Sequence, residues 1–124
     1  MTTEQIAKRL VELCRRGEFS QSQEELFAQN AVSIEPEGMQ TGPLGNAEGM
    51  DAIRRKGKAF EGSVEQIHGV TVSDPIVAGD FFSIAMGFDA TWKQGGRRSM
   101  EEICLFEVRD GKIVREQFFY RVAQ

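Results

Sequence analysis

Residues 102–120 read Glu102-Ile103-Cys104-Leu105-Phe106-Glu107-Val108-Arg109-Asp110-Gly111-Lys112-Ile113-Val114-Arg115-Glu116-Gln117-Phe118-Phe119-Tyr120. Side chains alternate on both sides of Asp110-Gly111, a pair that accepts the positive φ angles of a two-residue hairpin loop. The stretch therefore predicts two antiparallel strands, Ser99 to Arg109 and Lys112 to Val122, with Arg109 opposite Lys112. Counting away from the turn sets Leu105 opposite Glu116, Ile103 opposite Phe118 and Glu101 opposite Tyr120.

The same period of two continues upstream in Val64 to Val72 and in Phe81 to Lys93. If Gly95-Gly96 is a second two-residue loop, Ala90 meets Glu101, Phe88 meets Ile103 and Met86 meets Leu105. One face of this meander then gathers Met86, Phe88, Trp92, Ile103, Phe118 and Tyr120, with Glu101 and Glu116 among them, and is the face for helices to cover. The opposite face holds Phe106, Phe119 and Ile113 beside Arg and Glu side chains. It is too apolar for plain solvent and predicts a homodimer through the Phe106/Phe119 sheet face.

The N-terminal half has the other period. Ile6, Leu10, Leu13 and Cys14 recur at helical spacing between Thr2-Thr3 and Gly17. Ser22-Gln23-Glu24-Glu25 has the form of a capping box and predicts a second helix to about Gln29. Ala31 to Glu35 alternates as a strand that Pro36 ends. The loop from Glu37 to Gly49, with Gly38, Gly42, Gly45 and Pro43, could close over a site. A third helix runs from about Met50 to Phe60, its Arg54-Arg55-Lys56 and Lys58 forming a solvated basic face. The fold class is α+β: a curved sheet, cone-shaped, with three helices from the N-terminal half on its concave face.

At 124 residues the chain fits one domain, residues 1–124. Nineteen acidic against 15 basic side chains, a net charge of −4, argue against nucleic acid as partner, since phosphates select a basic face. No apolar run approaches the ~20 residues that span a bilayer, and the N-terminus lacks the basic and apolar regions of a secretion signal. The expectation is a cytoplasmic protein with no membrane partner. Cys14 and Cys104 stand far apart without neighbouring ligands, which predicts buried thiols rather than a disulfide or a metal site. The glycines of the loop do not follow phosphate-loop spacing, so no nucleotide cofactor is indicated.

This order of elements resembles the nuclear-transport-factor-2-like superfamily, and the 102–120 hairpin looks like the closing hairpin of its SnoaL-like branch, named for a polyketide cyclase. A second likeness is more chemical. Ala31-Val32-Ser33-Ile34-Glu35-Pro36, followed by Glu48-Gly49-Met50-Asp51-Ala52-Ile53-Arg54, resembles the ketosteroid isomerase segment in which an acid before Pro shuttles the proton. The resemblance implies that Glu35 is the base. It also exposes a departure, because Leu10 and the Ile103-Cys104-Leu105 region stand where the isomerase carries its two oxyanion donors. A donor would have to come from Tyr120, Trp92 or His68.

The expected site is therefore Glu35 as base with Tyr120 or His68 as polar orienter. Trp92, Phe88, Met86, Phe118 and Ile103 would be walls, and Glu101 and Glu116 inner-face acids. The function this predicts is binding of a small hydrophobic molecule in an apolar cone, with proton transfer of isomerase, cyclase or dehydratase type. The alternative is a non-catalytic ligand-binding or interaction module whose interior is filled by its own side chains.

Overall fold

The computed structural model describes residues 1–122. Helix α1 (Thr3–Arg15) begins at a reciprocal cap: Thr2 Oγ1 accepts from the Gln5 amide at 3.1 Å, and Gln5 Oε1 accepts from the Thr2 amide at 2.9 Å. Its buried stripe is Ile6, Ala7, Leu10, Val11, Leu13 and Cys14. Gly17, at φ +74°, turns the chain, and the Glu18 amide donates back to the Leu13 carbonyl at 2.9 Å.

Helix α2 (Phe19–Leu26) follows at once. Ser22 lies inside it, its hydroxyl donating to the Phe19 carbonyl at 2.7 Å, so the expected capping box does not form. The helix starts earlier than predicted because Phe19 packs on the sheet, 5.5 Å from the Phe88 ring. It also stops earlier, because Phe27 already enters strand β1 (Phe27–Ile34), paired with Ile113.

After β1 come β2 (Ala47–Glu48), α3 (Met50–Ser63), β3 (Val64–Val72), β4 (Ile76–Ala78), β5 (Phe81–Trp92), β6 (Gly96–Arg109) and β7 (Lys112–Phe119). They form one curved, unclosed mixed sheet in the order β2-β1-β7-β6-β5-β3, with β4 also on β5. Among the described residues only β1 with β7 is parallel; the other pairs are antiparallel. The helices cover one face, and the fold is α+β as predicted. No helix among the described residues is long and apolar enough to cross a membrane.

The β5–β6 register corrects the sequence reading. Trp92 pairs with Gly96, so residues 93–95 make the connection, and Ala90 meets Arg98 instead of Glu101. A shift by an odd number of residues exchanges the faces of β6. Cys104, Phe106 and Val108 go into the core at 0%, 3% and 4% exposure, while Ile103 is turned out at 48%. Burial of Phe106, which stacks on Phe82 at 4.7 Å, favours this register over one that would bury Ile103. Phe106 therefore belongs to the core rather than to a dimer face, and Glu101 is exposed on the outer face with Ile103.

The β6–β7 hairpin begins as predicted, with Asp110 and Gly111 at φ +51° and +75° and Arg109 opposite Lys112. It then takes a bulge: Val108 pairs with Ile113 but Glu107 with Arg115, leaving Val114 as the extra residue. Beyond it Phe106 faces Glu116, Cys104 faces Phe118, and Ile103 faces Phe119. The bulge brings Glu116 and Phe118 onto the same face as the core residues of β6.

Candidate active site

Alternation along β1 turns Ala31 and Ser33 inward, both at 0% exposure, and carries Glu35 inward at the strand end with 7% exposed. The loop after Pro36 folds back onto that point. The Glu35 amide donates to Asn46 Oδ1 at 2.8 Å, and Gln40 Nε2 donates to the Glu35 carbonyl at 3.3 Å. Gly45 permits the closure, since a Cβ there would lie 2.5 Å from the Gln40 carbonyl oxygen. The loop is thus stitched to the residue it follows.

Each carboxylate oxygen of Glu35 has its own donor. Lys56 Nζ donates to Oε2 at 2.7 Å, and the Tyr120 hydroxyl donates to Oε1 at 2.6 Å. The ammonium of Lys56 also donates to Ser33 Oγ at 2.8 Å and lies 5.2 Å from the centroid of the Phe118 ring. With side-chain exposures of 15% and 8%, Lys56 and Glu35 form a largely desolvated ion pair. Arg54, by contrast, faces Glu24 at the surface, at 2.6 Å.

Two further acids approach this pair. Burial pushes the Glu116 carboxyl up to about 7, against the hydrogen bond from Ser33 and the charge of Lys56, with Glu35 adding to the rise. Burial also pushes Glu102, half-buried on β6, up to about 7, and the negative charge of Glu35 works in the same direction. Cys104 Sγ lies 3.7 Å from Glu102 Oε1 as a weak donor. Burial, and then the bond it donates to Glu35, raises the Tyr120 phenol above its ordinary range. The cluster thus combines the Lys56–Glu35 ion pair, a phenol and two carboxyls that burial raises to about 7. A proton acceptor and several donors share one apolar wall.

Of the predicted residues, the structure brings Glu35, Tyr120, Glu116 and Phe118 together. Met86, Phe88 and Trp92 line the same inner face, where Phe60 packs 5.7 Å from Phe88 and 5.6 Å from Trp92. Ile103 and Glu101 lie on the opposite face, for the register reason given above. His68 is exposed on β3, its Nε2 2.7 Å from Thr91 Oγ1, and has no contact with Glu35.

Lys56, Ser33 and Glu102 were not anticipated. Lys56 carries a legible signal, because it stands three residues after Ile53 and four before Phe60 and so shares their apolar stripe. A charge on that stripe reaches an inward partner or pays for burial. Ser33 is two residues before Glu35 on the same strand face. Glu102 depended on the β5–β6 register.

A curved, unclosed sheet wrapped on three helices is a fold that known proteins share. The model of the SnoaL-like domain matches residues 1–120, and the chain belongs to that family. It is 35% identical, with a TM-score of 0.88, to a Mesorhizobium loti protein assigned to the SnoaL-like polyketide cyclases [carbohydrate phosphatase], covering 97% of this chain and 100% of that one. An NTF2-like protein of unknown function from Burkholderia pseudomallei shares the fold at 15% identity and a TM-score of 0.79, covering 98% of this chain and 92% of that one. So does a protein of ketosteroid isomerase-like fold from Catenulispora acidiphila in complex with trimethylamine, at 16% identity and a TM-score of 0.65, covering 94% and 85%. The comparison with curated proteins finds no similar sequence.

Proposed function

We propose that this SnoaL-like protein binds a small, largely apolar molecule against the inner sheet face and transfers a proton on it, in a reaction of isomerase, cyclase or dehydratase type. The observation that carries the reading is Glu35, a buried carboxylate held by Lys56 and Tyr120 on separate oxygens. In the proposed step Glu35 takes a proton from a carbon beside a carbonyl. The C–H electrons move onto the carbonyl oxygen, and Glu35 returns the proton to a second position. The oxyanion formed needs a donor, and the protonated Glu102 carboxyl supplies one from the same wall. In this reading Glu102, two residues from Cys104 on the strand face that the register turns inward, serves as the donor that Leu10 and the Ile103-Cys104-Leu105 region do not provide.

The test follows hydrogen exchange at the α-carbon of 2-tetralone in heavy water by proton NMR, with wild type and Glu35→Gln. Wild type should exchange faster than buffer, and the variant should lose on the order of 10²–10⁴-fold, the usual worth of a positioned base. Equal exchange in folded variant and wild type would remove the base assignment.

A second reading is favoured by one observation: Phe88 and Trp92 of the core are covered by the partly buried rings of Phe19 and Phe60. It makes the protein a non-catalytic module. Ligand-induced thermal stabilisation separates the two, since only a ligand bound to the native state raises its melting temperature.

A further inference from the structure

Ser33 and Glu116 are partners in the parallel pairing of β1 with β7, and both turn inward, at 0% and 7% exposure. Lys56 reaches this pair from α3. Its ammonium donates to Glu35 Oε2 at 2.7 Å and to Ser33 Oγ at 2.8 Å. It also lies 5.2 Å from the centroid of Phe118, which is two residues beyond Glu116 on the same face of β7. Ser33 in turn donates to the Glu116 carboxyl. Lys56 is thus bonded to one acid and held one hydroxyl away from another.

The remaining titratable groups facing Glu116 are Glu102 and Cys104 of β6 and Cys14 of α1. Burial keeps both thiols neutral. Among the described residues these groups add no positive charge, so Glu35 and Glu116 have Lys56 as their common cation. A contact between ammonium and carboxylate is stronger than one between hydroxyl and carboxylate, and a lysine stem is flexible enough to turn its charge from one acid to a neighbour. The hydroxyl in between opposes that turn. It takes one N–H of Lys56 and meets Glu116 with its own proton.

We propose that Ser33 is a positioning residue, whose hydroxyl stands between Lys56 and Glu116 and so keeps the ammonium on Glu35. Its part in a reaction rests on the proton-transfer reading above; its hold on Lys56 does not. Without the hydroxyl, Lys56 pairs with Glu116 directly, and Glu35 is left with the Tyr120 bond and a less fixed carboxylate.

The experiment labels the glutamates with ¹³C at Cδ and follows each carboxyl through pH by NMR, the Glu116 signal being the one that Glu116→Gln removes. Glu116 titrates at about 7 in wild type. In Ser33→Ala its midpoint should drop by about one to three pH units, because a cation comes into contact, whereas loss of a donor alone would raise it. In a Lys56→Met background the same Ser33→Ala change should raise the midpoint. A midpoint that rises or stays in Ser33→Ala means that Lys56 has not moved, and a drop that persists without Lys56 means that something else causes it. Either result overturns the assignment. Exchange of 2-tetralone in heavy water reads the consequence for the base: Ser33→Ala should be about tenfold to a hundredfold slower than wild type, the cost of a misplaced reacting group. An unchanged rate beside a lowered Glu116 midpoint would remove the role of Ser33 at Glu35. If wild type itself exchanges no faster than buffer, the proton-transfer reading fails, while the hold of Ser33 on Lys56 still stands or falls by the titration.

Discussion

The Tyr120 hydroxyl donates to Glu35 Oε1 at 2.6 Å across 85 positions of sequence. Tyr120 follows the end of β7 and Glu35 the end of β1, and these two strands are the parallel pair of the sheet. Parallel pairing puts both C-terminal ends on one edge, so an acid and a phenol that leave their strands there meet.

The Lys56–Glu35 pair should show as coupling in a double-mutant cycle. Lys56→Met leaves a buried carboxylate without its cation and should cost on the order of 1–3 kcal/mol in urea unfolding, less than a fully buried pair because both groups keep some solvent. Glu35→Gln together with Lys56→Met should cost less than the sum of the single changes by about 1 kcal/mol. Strict additivity would show that the pair contributes no energy.

Glu102 and Glu116 set a pH dependence whose sign is opposite to ordinary acid denaturation. Both are raised to about 7 in the folded chain, against 4.5 ordinarily. Between those values the native state holds protons that the unfolded chain has released, so stability is greatest below the lower value and falls as pH rises through 7. For Glu116 the loss is on the order of 3 kcal/mol. Melting temperature measured from pH 5 to 8.5 should decline in wild type and decline less in Glu116→Gln, which should be the more stable protein at pH 8. A profile that rises over this range in wild type would contradict the burial argument.

Gly45 can be tested without any ligand. Gly45→Ala places a methyl group 2.5 Å from the Gln40 carbonyl oxygen, which is backbone and cannot swing aside. The loop should shift and loosen the Asn46 bond to the Glu35 amide, at a cost of about 1–3 kcal/mol. Unfolding free energy and protection of the Glu35 amide against hydrogen exchange should both fall. An unchanged amide would mean that the loop does not hold the site.

The outer sheet face exposes Ile103 and Phe119, at 48% and 46%, side by side as a cross-strand pair. We expect a homodimer through this face, centred on that pair in place of Phe106. Sedimentation velocity at micromolar concentration should give about twice the monomer mass, and Phe119→Glu should give a folded monomer. A monomeric wild type would contradict the expectation.

Legibility in the sequence followed locality. Period-two and helical patterns, with the Asp110-Gly111 turn, were enough for the helices, the long strands and the α+β class. Glu35 before Pro36, Glu116 and Tyr120 were found because each lies on or directly after a strand whose pattern is visible. Lys56 was hidden inside a basic run, where only its spacing from Ile53 and Phe60 sets it apart from Arg54. Ile103 and Glu101 were placed on the wrong face, and Glu102 missed, because the β5–β6 connection is one of three residues. Nothing in Gln94-Gly95-Gly96 distinguishes that from two, and the burial of Phe106 that favours it is a tertiary effect. The β7 bulge is likewise silent at Val114.

That bulge gives the hairpin the behaviour of a reading frame. Were Val114 paired opposite Glu107 instead of bulged out, everything downstream would swing by half a pleat, presenting Arg115 and Gln117 inward and expelling the acid at 116 together with the Phe118 ring that Lys56 rests on. The hairpin would still pair, yet the inner sheet face would have exchanged its acid for a guanidinium. The placement of a single supernumerary residue, with no reactive group of its own, decides whether the inner face carries Glu116 or Arg115.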